Sequence, residues 1–150
     1  REEYFLNVLE DFKVQDIMLT DPQVINENMK FSEIINYIST TKHNCFPVVN
    51  EENILIGVLK YEEIRQFVFE EGLVDIVVAG ELCDKKIPPV APNDSIAHAI
   101  KIMSFSNEEI LPVVNNLKER KLLGIITRKD IISYYNKISL EQENTARLEF

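Results

Sequence analysis

The chain has 150 residues, of which 45% are hydrophobic, enough to bury a sizeable core. Sixteen basic residues against 25 acidic ones leave a formal net charge of −9, which argues against a DNA or RNA phosphate backbone and against an anionic bilayer surface as partner. No apolar run approaches the ~20 residues needed to span a membrane, and there is no Gly-rich phosphate loop, Cys/His metal cluster or Ser-His-Asp order to point to an enzyme.

In chain order, Tyr4, Phe5, Val8, Leu9 and Phe12 follow helical spacing and predict an amphipathic lead-in over residues 1–13. Asp21-Pro22 marks a turn, and Val24-Ile25 reads as a short strand. Lys30 to Thr41 carries apolar residues at i, i+3, i+4 and i+7, one face of a helix. Phe46–Val49 and Ile54–Leu59 are apolar strands joined by the polar turn Asn50-Glu51-Glu52-Asn53. A helix with Ile64, Phe67 and Val68 inward closes a first unit, 14–70. Residues 71–80, with Gly72, read as a linker. A second unit, 81–137, ends in a helix with Ile131, Tyr134 and Tyr135 inward, and the polar tail 138–150 is expected to fray from Glu141. The start at Arg1, without a Met or a signal peptide, reads as a piece of a longer protein.

The two units repeat each other. Cys45-Phe46-Pro47-Val48-Val49-Asn50 returns as Ile110-Leu111-Pro112-Val113-Val114-Asn115, shifted by 65 positions. Phe31, Ile34, Ile35 and Ile38 return at the same shift as Ile96, Ala99, Ile100 and Met103. Ile56-Gly57-Val58-Leu59 returns as Leu123-Gly124-Ile125-Ile126, shifted by 67, so two residues were added in the second turn. The fold class expected is α/β: two β-α-β-β-α repeats related by a pseudo-twofold axis and packed sheet to sheet, with a cleft between them.

The apolar-Pro-Val-Val strand, the apolar-Gly-apolar-apolar strand and the polar-x-x-acidic start of the last helix resemble a tandem pair of CBS domains, a Bateman module, over about residues 14 to 137. Three segments are also similar to the cytoplasmic tail of CLC-type chloride channels and proton/chloride antiporters. They are Lys42 to Val49, Glu71 to Ala79 and Thr127 to Lys137. CBS pairs are also attached to magnesium transporters, IMP dehydrogenase and kinases. The resemblance implies a non-catalytic regulatory unit on the cytoplasmic face of a membrane transport protein. Its partners would be an adenine nucleotide (ATP, ADP or AMP, none tightly bound), the transmembrane portion of its own chain and a second copy in a homodimer, with no nucleic acid. A ligand-free assembly scaffold, with Phe69, Phe105 and Tyr135 as contact residues, is the alternative, as is a regulatory pair of another transporter or enzyme.

The resemblance also implies nucleotide-binding residues. Asp130 accepts the ribose hydroxyls, and Thr127, the helix amides, Lys129 and Arg128 meet phosphate. His43 and Asn44 border the base, His43 by stacking, and Gln23 lies on the opposing strand edge. Each has a plainer reading: Thr127-x-x-Asp130 as a capping box, His43 as a loop residue, Lys129 and Arg128 as solvated charges. The mirror position carries Lys60-Tyr61-Glu62-Glu63 faced by Glu108 and Glu109. Two unit charges ~5 Å apart repel by about 3 kcal/mol at an effective dielectric of ~20, so at most one cleft is expected to take a nucleotide. Glu108 and Glu109 read otherwise as solvated loop charges or a weak divalent-cation site. No metal ligand set is assigned. Cys45 reads as a small buried hydrophobe, Cys45 and Cys83 as reduced thiols with pairing left open, and His98 as a solvated helix residue.

Overall fold

A computed structural model of the chain describes residues 2–67, 72 and 76–148. The lead-in is a helix, α1 (Glu2–Glu10), followed by a 3-10 turn at Val14–Asp16. The first unit comprises β1 (Ile25–Asn26), α2 (Phe31–Ser39), β2 (Cys45–Val49), β3 (Leu55–Lys60) and α3 (Tyr61–Ile64), which continues as a 3-10 turn at Arg65–Phe67. The second comprises a short α4 (Ala79–Leu82), then α5 (Ile96–Ser106), β4 (Ile110–Val114), β5 (Leu122–Thr127) and α6 (Arg128–Leu148). The apolar face predicted for α2 is the buried one, with Phe31, Ile34 and Ile38 inward. Ile64 is buried and Phe67 half-buried; Val68 and Phe69, also expected to make contacts, lie outside the described residues.

β2 runs between a parallel β1 and an antiparallel β3, with Pro47 opposite Val58 and Val48 opposite Gly57. β4 and β5 repeat this pairing, with Pro112 opposite Ile125 and Val113 opposite Gly124, down to the same bulge after the first Val. The second copy departs from the expected β-α-β-β-α order at its start. Its first strand is reduced to a single parallel bridge, Val90 to Val113, where the first copy has Ile25 to Val48. Pro88, Pro89 and Pro92 around Val90 lack the N–H groups that a longer ladder needs.

The contacts between the units obey the twofold that the repeat predicts. Lys13 bridges to Ser95 and Lys30 to Val78; Leu19 bridges to Ile125 and Val58 to Asp84; in each case the shifts of 65 and 67 turn one bridge into the other. On the axis itself, the Leu55 N–H donates to the Arg120 carbonyl (2.9 Å) and the Leu122 N–H to the Asn53 carbonyl (3.0 Å). Val49, Leu55, Val114 and Leu122 bury a small apolar cluster there.

The segment leading into each copy crosses to the other. Leu9 and Val14 are fully buried in the core of the second unit with Ala99, Met103, Leu111, Ile126 and Ile131, whereas Ala79 and Cys83 are buried in the first unit with Phe31, Ile34, Phe46 and Leu59. Two glycines make the crossings possible. A side chain at Gly57 would meet the Asp84 carbonyl at 2.7 Å, and one at Gly124 would overlap the Leu19 carbonyl. α1 is therefore part of the second unit's core: Phe5 stacks edge-on against Tyr135 (4.6 Å between centroids) and Phe12 against Tyr134 (5.2 Å).

The polar tail does not fray where the sequence reading placed it. α6 is helical through Leu148, because Leu140, Glu141, Gln142, Glu143, Ala146 and Arg147 all favour helix, and the Tyr4 hydroxyl donates to Gln142 Oε1. No helix among the described residues is long and apolar enough to cross a membrane.

Candidate functional site

Between the units lies a cleft of about 340 Å³, walled by the loop Leu19–Gln23 ahead of β1, by His43 and Cys45 at the start of β2, and by Ile125 of β5. Two of the residues expected at the base, Gln23 and His43, thus share a wall. The Thr41 hydroxyl donates to Gln23 Oε1 at 2.5 Å and accepts from the His43 backbone N–H at 3.2 Å. Asn44 turns away from this cleft. It lines, again with His43, a neighbouring pocket of about 380 Å³ formed by Ile35, Ile38, Tyr61 and Ile64, and its carbonyl accepts the Tyr61 N–H at 2.8 Å.

Thr127, Lys129 and Asp130 sit at the start of α6, two to five residues beyond Ile125. The Asp130 N–H donates to Thr127 Oγ1 at 3.0 Å, half of the capping arrangement. The reciprocal half is missing: among the described residues the half-buried Asp130 carboxylate has no hydrogen-bond or ion-pair partner. Lys129 is exposed. Arg128 is held by its neighbour Glu109, with Nε 3.5 Å from a carboxylate oxygen. His98 is exposed on α5, where its backbone N–H is accepted by the Ser95 cap.

The mirror position is filled by the protein's own side chains. Lys60 Nζ lies 2.7 Å from Glu108 Oε1 and 3.6 Å from Glu63. Glu108 is only 9% exposed, so of the two acidic residues read as loop charges only Glu109 is solvated. Among the described residues no cluster of His, Cys, Asp or Glu is placed to hold a metal ion. The same twofold that relates the bridges relates Lys60 to Thr127, Glu63 to Asp130 and Glu108 to His43. The three groups that meet at the closed end thus have Thr127, Asp130 and His43 as their counterparts at the open one; of these only His43 lines the cleft itself, Thr127 and Asp130 following Ile125 in the chain. Comparing the copies position by position was the signal for this; Thr41 and Cys45 as parts of the site carried none.

The two cysteines are free thiols. Burial pushes the Cys45 thiol above its ordinary value; Lys60 opposes this, and Glu108, Glu63 and Glu109 add to it. Burial also raises Cys83. At Lys60 burial alone would lower the ammonium's pKa, but the hydrogen bond and charge of Glu108 outweigh it and the net shift is upward. Tyr134 is raised by burial, with Asp16 and Glu141 adding to it. In all four cases the folded chain holds its proton to higher pH than the unfolded chain. Their contribution is therefore complete below the unfolded values and is lost as pH rises through the folded ones. The urea midpoint is expected to hold level between about pH 6 and 8 and to fall above about pH 9, where the thiols of the unfolded chain ionise first. A midpoint that rises between pH 8 and 10 would contradict these environments.

Comparison with known proteins places the chain. The family model for the CBS domain matches residues 14–70 and again 79–137. The methylated protein MJ0556 of Methanocaldococcus jannaschii is 30% identical over 132 residues, covering 83% of this chain and 74% of that protein. The inosine-5'-monophosphate dehydrogenase of the same organism is 25% identical over 80% of this chain but only 23% of the enzyme. The chloride channel protein CLC-f of Arabidopsis thaliana is 25% identical over 79% of this chain and 18% of the channel. Among solved structures, the CBS domain pair of protein MJ0100, in complex with 5'-methylthioadenosine and S-adenosyl-L-methionine, superposes with a TM-score of 0.70 at 22% identity, covering 83% of this chain and 96% of that one. The CBS domain of a bacterial CNNM/CorC family Mg2+ transporter in complex with ATP does so with a TM-score of 0.73 at 16% identity, covering 88% and 95%.

Proposed function

The chain belongs to the CBS-domain family as a tandem pair, and we propose that it is a regulatory module that takes one adenine nucleotide in the cleft between Gln23, His43, Cys45 and Ile125. The observation that carries this reading is the asymmetry of the two ends: Lys60, Glu63 and Glu108 satisfy one another, while among the described residues the Asp130 carboxylate has no partner at the other end. In this reading the Asp130 carboxylate accepts the two ribose hydroxyls. The phosphates lie at the N-terminus of α6, where free amides, Thr127 and Lys129 favour negative charge. His43 stacks on the base. The adenosine-containing ligands named for the MJ0100 pair and the transporter domain support this class of ligand.

Asp130→Ala is expected to weaken AMP or ATP binding at least tenfold in calorimetry. Unchanged affinity would remove Asp130 from the site. If neither ATP, ADP nor AMP raises the unfolding temperature, the scaffold reading takes over, since a ligand at ~100 times its dissociation constant adds about 2.7 kcal/mol. That second reading draws on Phe105, 95% exposed on α5 and available to a second copy; Tyr135 is not available, because it packs on Phe5.

The host in our reading is a CLC-type transport protein, with the pair non-catalytic and on the cytoplasmic side. The three tail-like segments and the match to CLC-f support it. The match of the same extent to inosine-5'-monophosphate dehydrogenase supports an enzyme host instead. Nucleotide-dependent chloride flux through the full-length protein, reconstituted in vesicles, separates the two. Ligand free energy reaches the host only through a difference in affinity between two arrangements. In this reading α6 starts beside the ligand site, and its Tyr135 packs on Phe5 of α1 and its Tyr134 on Phe12 just beyond α1, which makes this lead-in segment the route out.

A further inference from the structure

We propose that the pocket of about 380 Å³ between α2, α3 and the entry to β2 is a second small-molecule site, and that it takes an apolar carboxylate. It shares only His43 with the inter-unit cleft, so the proposal stands apart from the nucleotide reading. The pocket traces to a difference between the copies. α5 runs to Ser106, the counterpart of Thr41, whereas α2 stops at Ser39. The Ser39 and Thr40 hydroxyls donate to the Asn36 and Tyr37 carbonyls, each at 2.8 Å, so side chains take up the last carbonyls of the helix. The chain then runs as a loop to Cys45, along the side of the pocket. At the matching place the second copy holds an ion pair: Arg128 and Glu109, the counterparts of Tyr61 and Asn44, lie 3.5 Å apart. Tyr61 and Asn44 carry no such charges, and both line the opening.

The walls are apolar, from Ile35, Ile38, Ile64 and Tyr61. Volume and lining both match sites for small organic molecules, which set a few polar groups around an apolar body. The charge at this site has one sign. In a chain with 25 acidic and 16 basic residues, no Asp or Glu among the described residues lines the pocket, whereas Lys42 does. The two carboxylates after Tyr61 are engaged elsewhere, Glu62 with Arg65 (3.3 Å) and Glu63 with Lys60 (3.6 Å). Lys42 is exposed and has no ion pair among the described residues. An apolar body gains by leaving water for the isoleucine walls. A carboxylate on it meets the Lys42 ammonium, and an amine in the same place meets a like charge.

Octanoate is the probe, with octylammonium as the control of equal chain and opposite charge. In calorimetry on the whole chain at neutral pH, octanoate is expected to bind wild type at least tenfold tighter than octylammonium does. Lys42→Glu, at an exposed position, is expected to weaken octanoate about tenfold. Ser39→Trp fills the pocket from its exposed rim and is expected to abolish octanoate binding. The proposal is overturned if octanoate does not bind wild type, if the two probes bind alike, or if both variants bind octanoate as wild type does. A dimer that Ser39→Trp splits into monomers in sedimentation, with no octanoate bound, gives the pocket to a second copy and also overturns it. AMP titrated into the same samples reports on the cleft separately: octanoate binding without AMP binding supports this site and sinks the nucleotide reading.

Discussion

Gly124→Ala is expected to destabilise the fold by about 3 kcal/mol and to lower the unfolding temperature by about 10 °C. The new methyl group would overlap the Leu19 carbonyl and come within 3.0 Å of its carbon. Both are backbone atoms, so no rotamer change relieves the overlap. The crossing strand must move, and with it go two hydrogen bonds, Leu19 N–H to the Ile125 carbonyl (2.8 Å) and Ile125 N–H to the Leu19 carbonyl (3.0 Å), each contributing about 1 kcal/mol. The loss outweighs the half to one kcal/mol that alanine gains over glycine in chain entropy. Gly57→Ala is expected to move in the same direction but less far, since the Cys83 sulfur, one of the two atoms it would meet at 2.7 Å, can rotate away. A neutral Gly124→Ala in urea unfolding would mean that the lead-in segment does not cross at this point.

The second large effect is at the closed end. Lys60→Met leaves Glu108, 9% exposed, without its partner at 2.7 Å. Removing one member of a buried ion pair costs about 3–5 kcal/mol, and the remaining solvent contact of Lys60 brings the expectation to about 2 kcal/mol. Lys60→Met with Glu108→Leu together is expected to recover most of that loss, because the desolvated carboxylate goes with its partner. A single Lys60→Met as stable as wild type would show that the ion pair does not hold the two units at that end.

The pairing within each copy was legible because it is local. Short apolar strands, the polar turn at Asn50–Asn53 and its counterpart at Asn115–Arg120 lie within twenty residues of one another, and the repeat shows them twice. The crossings were not. Periodicity marks Val14 and Ala79 as apolar, but not which unit receives them, and the glycines that admit the crossing strands look like ordinary strand glycines. On sequence alone Glu108 fits either a loop charge or a residue facing Lys60; the second holds, and its half-buried partner lies 48 positions away. The tail was misread because polarity was weighed above helix propensity. In the candidate site, the copy-to-copy comparison located both ends of the cleft. It placed Asn44 beside His43, but not on the far side of His43, facing α3. It gave no hint of Thr41, whose part depends on a contact with Gln23 18 positions away.

The most direct measurement is the number of AMP molecules bound per chain, by equilibrium dialysis at saturating nucleotide. One per chain is the predicted result, since a single end of the inter-unit groove retains an unsatisfied carboxylate. Two per chain would mean that the Lys60–Glu108 contact yields to ligand, and none would mean that this groove is no purine site.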